Sequence, residues 1–337
     1  MNLFATVLTY PAPSSNYGGE TELNRLVIQK VTDGRFDYPI FSPESMRNAL
    51  RETLKRYGLP CNRERIHPVA GKGKSEDGGE GDKQQLAVKF AKYPDPEAYI
   101  DDFFFGYLLA VKKEQLDKLR TEKGKDYPLK RDSVLRMNLA KALEPYRHNA
   151  VFNQSPEIKD SPWKPGGGDA KATSALLHRE TVVSAFQYPF ALNIDDCTHH
   201  PPDSKGKRKP HPHGKDWTRA LLRAIGELNN VAGKQARSYF EMAPASIIAR
   251  LTDSLVAGYQ TYCFKPENKT PDVIIDILSG DFDDKEGKAK EFYIGGEIVK
   301  RGLTDEQKKG LEAKGVILDR DSRKLLVTIA DKGLGKE

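Results

Sequence analysis

The stretch SPESMRNALRETLKRY, residues 42–57, decides the first packing element of the fold. Ser42 can cap a helix, Pro43 suits its first turn, and Glu44 interacts favourably with the positive end of the helix dipole. The apolar positions that follow keep the helical period, and they are Met46, Leu50, Leu54 and Tyr57. We therefore predict an amphipathic helix that buries this apolar stripe against another layer of the protein.

Apolar segments elsewhere in the chain predict a sheet on which this helix packs. The segments richest in β-branched and aromatic side chains are residues 3–10, 181–192 and 246–252. We also predict a central strand in FFFGYLLAV (residues 103–111) and a further strand at residues 259–264. A second amphipathic helix is predicted to begin at a cap on Asp216. Because strands and helices are intermixed without a repeat, the predicted fold class is α+β in a single domain over residues 1–337.

Three polar insertions interrupt this pattern, at residues 58–98, 153–179 and 196–216. The first contains GKGKSEDGGEGD, which has no large apolar residue to offset the entropy of ordering. The second carries prolines and three consecutive glycines around Trp163, and it predicts a long protruding loop or hairpin. The third is rich in His, Pro and Lys and predicts a flexible basic loop. The pattern assigns no role to residues 281–337.

Composition and charge restrict the classes of function. The net charge of +6 favours anionic partners such as nucleic acid, although a mild basic excess is also common in enzymes. The most apolar run is far shorter than the roughly 18–20 residues that a membrane span needs. The three cysteines have no paired spacing, which suits a reducing compartment. We expect a cytoplasmic protein with no membrane partner.

The segment AGKQAR, residues 232–237, resembles part of a phosphate-binding loop but lacks its catalytic elements. A nucleotide-hydrolysing loop has the pattern G-x-x-x-x-G-K-[ST], in which the hydroxyl binds magnesium. No glycine stands at the required distance before Gly233, and Gln235 replaces the hydroxyl residue. Lys234 and Arg237 still offer positive charge beside a glycine, which suits phosphate binding without hydrolysis.

Potential metal ligands and acids in the sequence have ordinary alternative interpretations. Five zinc-type ligands lie within the third insertion, and they are Cys197, His199, His200, His211 and His213. Their spacing matches no zinc finger, so a solvated basic loop or a phosphate-contacting loop is favoured over a metal site. Asp33 and Asp37 precede the first helix and favour a turn. Arg47, Arg51 and Lys55 repeat on one helix face, which is either an ordinary solvated face or a phosphate-binding one.

Six segments in order resemble the DevR-type (Cas7-family) backbone subunits of type I CRISPR surveillance complexes (Cascade), of the type I-B-like kind. They are ETELNRLVIQKV, DYPIFSPESMRNALRETL, DDFFFGYLLA, RDSVLRMNLAKALEPY, LLHRETVVSAFQYPFALNIDD and LLRAIGELNNVAGKQARSYFEMAPASIIARLT. The resemblance, of which these segments are the clearest parts, runs in family order from about residue 3 to 265. The resemblance implies a modified RNA-recognition-motif (ferredoxin-like) palm. The insertions at 58–98, 153–179 and 196–216 would then form fingers, thumb and a web.

The resemblance also implies a function and a set of partners. Copies of such a subunit stack along CRISPR RNA beside other Cascade subunits, and the guide pairs with a target DNA strand. Protein then holds the backbone while base pairing reads the sequence. No catalytic activity, cofactor or metal is expected. The implied RNA-binding residues are Arg25, Ser42, Arg47, Arg51, Lys55, Trp163, Lys234 and Arg237.

Two other functions stay open at this stage. Related type III subunits carry an aspartate before the basic helix that cuts target RNA with a divalent metal, and Asp33 or Asp37 could occupy that place. The chain could also be an RNA-binding module that acts alone. Within the main interpretation, Trp163 either wedges between bases by stacking or packs within its own loop.

Overall fold

The computed structural model describes ten ranges of the chain. They are residues 1–22, 25–66, 87–110, 113–124, 127–154, 176–202, 205–231, 240–266, 269–282 and 287–335. Within these ranges no helix is both long and apolar enough to cross a membrane.

Strands and helices alternate along these ranges. In chain order the strands are β1 (Asn2–Leu8), β2 (Ala12–Ser14), β3 (Tyr17–Glu22), β4 (Arg25–Ile28), β5 (Lys30–Asp33), β6 (Phe36–Phe41), β7 (Arg63–Ile66), β8 (Ala87–Phe90), β9 (Tyr107–Leu108), β10 (Lys130–Arg131), β11 (Arg136–Met137), β12 (Ala140–Ala142), β13 (Ala150–Gln154), β14 (Leu176–Glu180), β15 (Val182–Ser184), β16 (Phe186–Asn193), β17 (Ser246–Thr252), β18 (Phe292–Gly296) and β19 (Ile317–Asp319). The α-helices are α1 (Pro43–Arg56), α2 (Ile100–Phe105), α3 (Lys113–Lys123), α4 (Ile194–Thr198), α5 (Gly214–Gly226), α6 (Asp272–Ser279), α7 (Asp305–Ala313) and α8 (Ser322–Leu334).

The largest sheet in the described part of the chain has nine strands. Its order is β19-β18-β17-β1-β16-β12-β6-β5, with β11 also paired to β16. Neighbouring strands are antiparallel except for the parallel pair of β18 and β19. In sequence, α1 falls between β1 and β12, and α5 falls between β16 and β17. The fold is therefore α+β with one central mixed sheet, as predicted.

Helices cover both faces of this sheet. On one face α1, α5 and α8 bury Leu50, Leu221 and Leu325 against β1, β16 and β17. On the other face α6 and α7 pack with Ile294 and Phe292 of β18. Because both faces of the sheet are covered, every residue of β17 is buried, including the polar Ser246, Arg250 and Thr252.

The helix predicted at residues 42–57 is confirmed. The Ser42 hydroxyl accepts a hydrogen bond from the Ser45 backbone N–H at 3.2 Å, which caps α1. Met46, Leu50 and Leu54 are completely buried. The strands predicted at the start of the chain, at 181–192 and at 246–252 are also present, the second as the pair β15 and β16.

The central strand predicted at residues 103–111 is wrong. Ile100–Phe105 forms the buried helix α2 instead, and only Tyr107–Leu108 is a strand. Gly106 separates the two with φ of +63°, and a Cβ there would lie 2.4 Å from the Arg131 carbonyl oxygen. A short apolar run fits a strand or a buried helix. Here Asp101 and Asp102 in the first turn of α2 are buried, and they accept hydrogen bonds from Asn62, which lies far away in sequence and stabilises the helix.

The strand predicted at residues 259–264 is absent, because this segment lies across the sheet and bonds to side chains. Thr6 Oγ1 donates to the Thr261 carbonyl at 2.7 Å, and the Phe264 N–H donates to Gln187 Oε1 at 3.1 Å. The second helix is present but begins at Gly214, two residues before the predicted cap.

Residues 281–337, to which the sequence assigned no role, complete the domain. Strand β18 extends the central sheet beside β17, and α8 packs against α5. An antiparallel strand pair, β7 with β8, lies within the insertion predicted at 58–98, and a second pair, β13 with β14, borders the one predicted at 153–179. The residues between the strands of each pair lie outside the described ranges.

Candidate nucleic-acid interface

The start of α1 and the flanks of the AGKQAR segment lie side by side. The rings of Phe41 and Phe240 stack with centroids 5.4 Å apart and planes 14° apart. Phe41 directly precedes the helix cap, and Phe240 directly follows residues 232–239. The Asn230 N–H donates to the Phe240 carbonyl at 3.1 Å, which brings the two flanks of that segment together. The helix start and the two residues that flank the segment, about 190 residues apart in sequence, are thereby neighbours.

Arg51 corrects one prediction, because it does not lie on a solvated helix face. Its Nε donates to Asp101 Oδ2 at 2.8 Å, and its Nη1 donates to Asn48 Oδ1 at 2.6 Å. The side chains of Arg51 and Asp101 are 3% and 0% exposed. Asp101 also accepts hydrogen bonds from the backbone N–H groups of Asn62 and Arg63. Arg51 is therefore a structural residue that joins α1, α2 and the start of β7.

Arg47 is positioned differently from Arg51. Its side chain is 22% exposed and its Nη1 lies 3.8 Å from Glu44 Oε1. Its Nε is buried and has no hydrogen-bond partner among the described residues. Burial lowers the pKa of Arg47, and the charge of Arg51 adds to that shift. A guanidinium with an unused donor is a suitable contact for an anion.

Arg63 in β7 was missed by the sequence analysis and lies near Arg47 and Arg51. One Nη donates to the Gly106 carbonyl, and the guanidinium stacks 5.0 Å from the Phe90 ring centroid. Its buried Nε again has no partner among the described residues. Burial lowers the pKa of Arg63, and the charges of Arg51 and Arg47 contribute. The only local signal was the alternation of Arg63 and Arg65 after Asn62, which is typical of a strand with one basic face.

Lys55 completes this set on the same helix. Its Nζ donates to the Arg63 carbonyl at 2.9 Å and lies 3.5 Å from Glu52. We refer to Arg47, Lys55 and Arg63 as the α1 basic cluster, with Arg51 as a buried structural residue beneath it. Leaving a buried donor unpaired costs about 1–3 kcal/mol, so the two free Nε atoms favour an oxygen-rich ligand such as phosphate.

Asp33 and Asp37 flank the turn that the sequence favoured. They belong to the β5–β6 hairpin, where Asp33 pairs with Phe36 and Thr32 pairs with Asp37. Adjacent pairs of an antiparallel ladder point to opposite faces, so the two carboxylates do not converge. Asp33 forms an ion pair with Lys141, and Asp37 accepts a hydrogen bond from Thr32 at 2.7 Å.

The histidine tract is ordered around aromatic side chains, contrary to the flexible loop predicted there. His211 is 5% exposed, its Nε2 bonds to the Pro96 carbonyl at 2.9 Å, and its Nδ1 accepts the His213 N–H. Its ring centroid lies 4.9 Å from that of Trp217. Burial raises the pKa of the Cys197 thiol to about 12, so the thiolate form that binds zinc is disfavoured. Within the described ranges no group of three or more potential ligands is close enough to hold a metal.

A curated relative decides the relationship of this chain to known proteins. The CRISPR-associated protein Cas7/Cst2/DevR of Myxococcus xanthus (strain DK1622) is 26% identical over 318 residues, which cover 92% of this chain and 91% of the relative. The chain is similar to this Cas7/Cst2/DevR protein over almost its whole length. No protein-family model matches it.

Solved structures agree with this Cas7/Cst2/DevR relationship at the level of the fold. A chain of a CRISPR RNA-guided surveillance complex in a pre-nicking state superposes with a TM-score of 0.57 at 11% identity, and covers 99% of this chain and 100% of that one. A chain of a second CRISPR RNA-guided surveillance complex gives a TM-score of 0.51 at 13% identity over 98% and 99%. The shared fold therefore extends over the whole chain.

The structure describes only part of the RNA-binding set that the resemblance to Cas7-family subunits predicts for this chain. It places Ser42 at the cap of α1, Arg47 in the first half of this helix and Lys55 in its last turn, and it buries Arg51. The remaining predicted contacts lie outside the described side chains, and they are Arg25, Trp163, Lys234 and Arg237. For Arg25 the backbone is described, as the first residue of β4.

Proposed function

We propose that this chain is a non-catalytic backbone subunit that binds CRISPR RNA in a Cascade-type surveillance complex. Copies of the chain assemble along the guide, other subunits cap the assembly, and the guide pairs with target DNA in antiviral defence. The cytoplasm is the expected compartment. The type I-B-like subtype remains a prediction.

The observation that carries this proposal is the stack of Phe41 on Phe240. It places the residues that flank segment 232–239, whose sequence includes Lys234 and Arg237, next to the helix that bears the α1 basic cluster. The stack thereby joins that cluster to the flanks of a second phosphate-suited sequence, in a fold shared with chains of RNA-guided complexes. Neither segment alone supports more than a weak anion site.

Strand order supports a modified RNA-recognition-motif palm. The antiparallel order β17-β1-β16-β12, with α1 after the first strand in sequence and α5 after the third, matches the β-α-β-β-α-β arrangement of ferredoxin-like folds. Both helices pack on the same face of the sheet. In this proposal the β7–β8 pair belongs to the fingers and the β13–β14 pair to the base of the thumb.

The chemistry of the α1 basic cluster suits binding that does not depend on spacer sequence. Guanidinium, ammonium and backbone N–H groups bind phosphate oxygens and position a strand without reading its bases. Base edges then remain available for pairing with the target. A backbone subunit must hold many different guides, and this mode of contact meets that requirement.

The proposal is tested by the RNA that copurifies with the chain when it is produced beside a CRISPR array and its partner subunits. We expect repeat-derived ends joined to many different spacers. RNA without repeat-derived ends would contradict a CRISPR RNA-binding role. A uniform short footprint from a monomeric chain would favour the module that acts alone.

A further inference from the structure

A cavity of about 960 Å³ opens beside α2, apart from the α1 basic cluster. Its volume lies within the range of about 300–1,000 Å³ that is usual for small-molecule sites. Aromatic rings line it, from Phe90, Tyr93, Tyr99, Tyr107 and Tyr127. The rings of Tyr93 and Tyr127 stand edge to face with centroids 6.4 Å apart. Flat apolar faces of this kind favour a planar ligand that stacks.

One buried donor of a lining residue has no partner among the described residues. Tyr107 is only 5% exposed, and its hydroxyl makes no hydrogen bond with any of them. An unpaired hydroxyl in a cavity wall suits a ligand that presents an acceptor atom at its edge.

Two cations at the rim of the cavity can contact a negative group of a ligand. Lys92 and Lys123 line it, and neither forms an ion pair with a described residue, although Lys123 lies 5.6 Å from the Tyr93 ring centroid. Two acids line the rim as well: Asp95 accepts the Glu97 backbone N–H at 2.9 Å, and the Glu97 carboxylate lies 3.3 Å from His200 Nε2.

We propose that this cavity binds a nucleotide, with an unstacked base against the tyrosine rings and its phosphate near Lys92 and Lys123. A carbonyl oxygen or ring nitrogen of the base accepts a hydrogen bond from the Tyr107 hydroxyl. The nucleotide would belong to an RNA strand that the chain holds, and in this respect the inference rests on the proposed function. A proline-rich peptide also suits aromatic walls, but it offers no negative charge to the two lysines.

Photo-crosslinking locates the base. Full-length chain is bound to single-stranded RNA in which every uridine is 5-iodouridine, irradiated, digested and analysed by mass spectrometry. We expect crosslinks in the peptides that contain Tyr93, Tyr107 and Tyr127. Crosslinks confined to peptides of the α1 basic cluster or of residues 232–239 would overturn the nucleotide site and leave the proposed function intact.

Single-atom changes test the donor. Tyr107→Phe removes a hydroxyl that has no partner among the described residues, so we expect an unchanged or raised melting temperature and about a fivefold lower crosslink yield in the cavity peptides. Tyr10→Phe is the matched control, since it removes an exposed hydroxyl bonded to Glu297 elsewhere. An unchanged yield in Tyr107→Phe would overturn the assigned hydrogen bond and with it the base-binding site.

A mononucleotide separates this site from RNA binding as a whole. Uridine 5′-monophosphate is titrated into the full-length chain and followed by ligand-observed NMR, with Lys123→Ala for comparison. We expect binding that weakens several-fold in Lys123→Ala and that a proline-rich peptide does not displace. No binding, or displacement by the peptide, would overturn the nucleotide site even if the chain binds RNA.

Discussion

Arg51 Nε and Asp101 Oδ2 lie 2.8 Å apart in an ion pair that joins α1 to α2 in the protein interior. Asp101 simultaneously accepts the N–H groups of Asn62 and Arg63, so the pair also fixes the point where the chain enters β7. The residue that looked like the centre of a basic surface stripe is therefore part of the framework beneath it. The exposed part of the stripe is supplied by Arg47 and, from another element, by Arg63.

Replacing Arg51 is expected to reduce stability rather than RNA contact. Arg51→Ala leaves Asp101 buried without its cation, which costs about 3–5 kcal/mol of the free energy of unfolding. The half-exposed pair of Arg47 with Glu44 contributes less than about 1 kcal/mol, so Arg47→Ala is the control. Urea unfolding measures both. An Arg51→Ala chain as stable as the wild type, with RNA binding lost, would show that Arg51 contacts RNA after all.

Charge reversal at Arg47 and Arg63 is expected to weaken RNA binding equally for all spacers. Each lost phosphate contact lowers the slope of log Kobs against log salt by about 0.7 for a single strand. Filter binding over a salt series, with several unrelated spacers, measures this slope. Arg301→Glu, at a side chain that is 83% exposed on another part of the surface, controls for net charge. Losses that depend on the spacer would contradict phosphate contact.

Loss of the Phe41–Phe240 stack is expected to disturb the RNA site from beneath. Phe240→Leu keeps an apolar core residue but removes the parallel ring contact, so we expect a stability loss of about 1–2 kcal/mol. RNA affinity should fall more than in a variant of equal stability loss remote from the site, such as Ile277→Val in α6. Equal affinity in both variants would mean that the stack does not position residues 232–239.

Neither aspartate of the β5–β6 hairpin is expected to support RNA cleavage. Complementary RNA incubated with the assembled complex and magnesium should stay intact with the wild type. Asp33→Ala and Asp37→Ala should bind and protect it in the same way. Cleavage by the wild type that disappears in either variant would instead identify a type III-like endonuclease.

Asp102 is expected to make stability depend on pH. Burial raises its pKa to about 6, above the usual carboxyl value, although hydrogen bonds from Asn62 and the Asp95 backbone oppose this. The folded state therefore holds a proton that the unfolded state releases, so this contribution is complete below about pH 4 and is lost as the pH rises through about 6. Asp102→Asn should remove that fall in denaturation midpoint. If the stability of the wild type changed with pH between about 4 and 6 in the same way as that of Asp102→Asn, the raised pKa of Asp102 would be contradicted.

Patterns that depend on neighbouring residues determined much of the fold. The cap at Ser42 and the spacing of Met46, Leu50 and Leu54 fix α1, because they act within a few turns of one helix. The β-rich segments at the start of the chain, at 181–192 and at 246–252 became strands for the same reason. The six ordered segments also sufficed to indicate the Cas7/Cst2/DevR relationship, because an ordered set of matches is specific even where no single motif is decisive.

Tertiary structure alone decided the identity of α2, the burial of Arg51 and the meeting of Phe41 with Phe240. Asp101 lies 50 residues from Arg51, and Phe240 lies far beyond Phe41, so no local pattern records either contact. An apolar run such as FFFGY fits a strand or a buried helix equally well until distant donors satisfy the carboxylates that precede it. A basic residue on a helix face is likewise either exposed or buried in an ion pair, depending on which element packs over it. The amino-acid sequence therefore determines the local helices and strands and the similarity to known proteins. Long-range packing determines which basic residues remain available to a ligand.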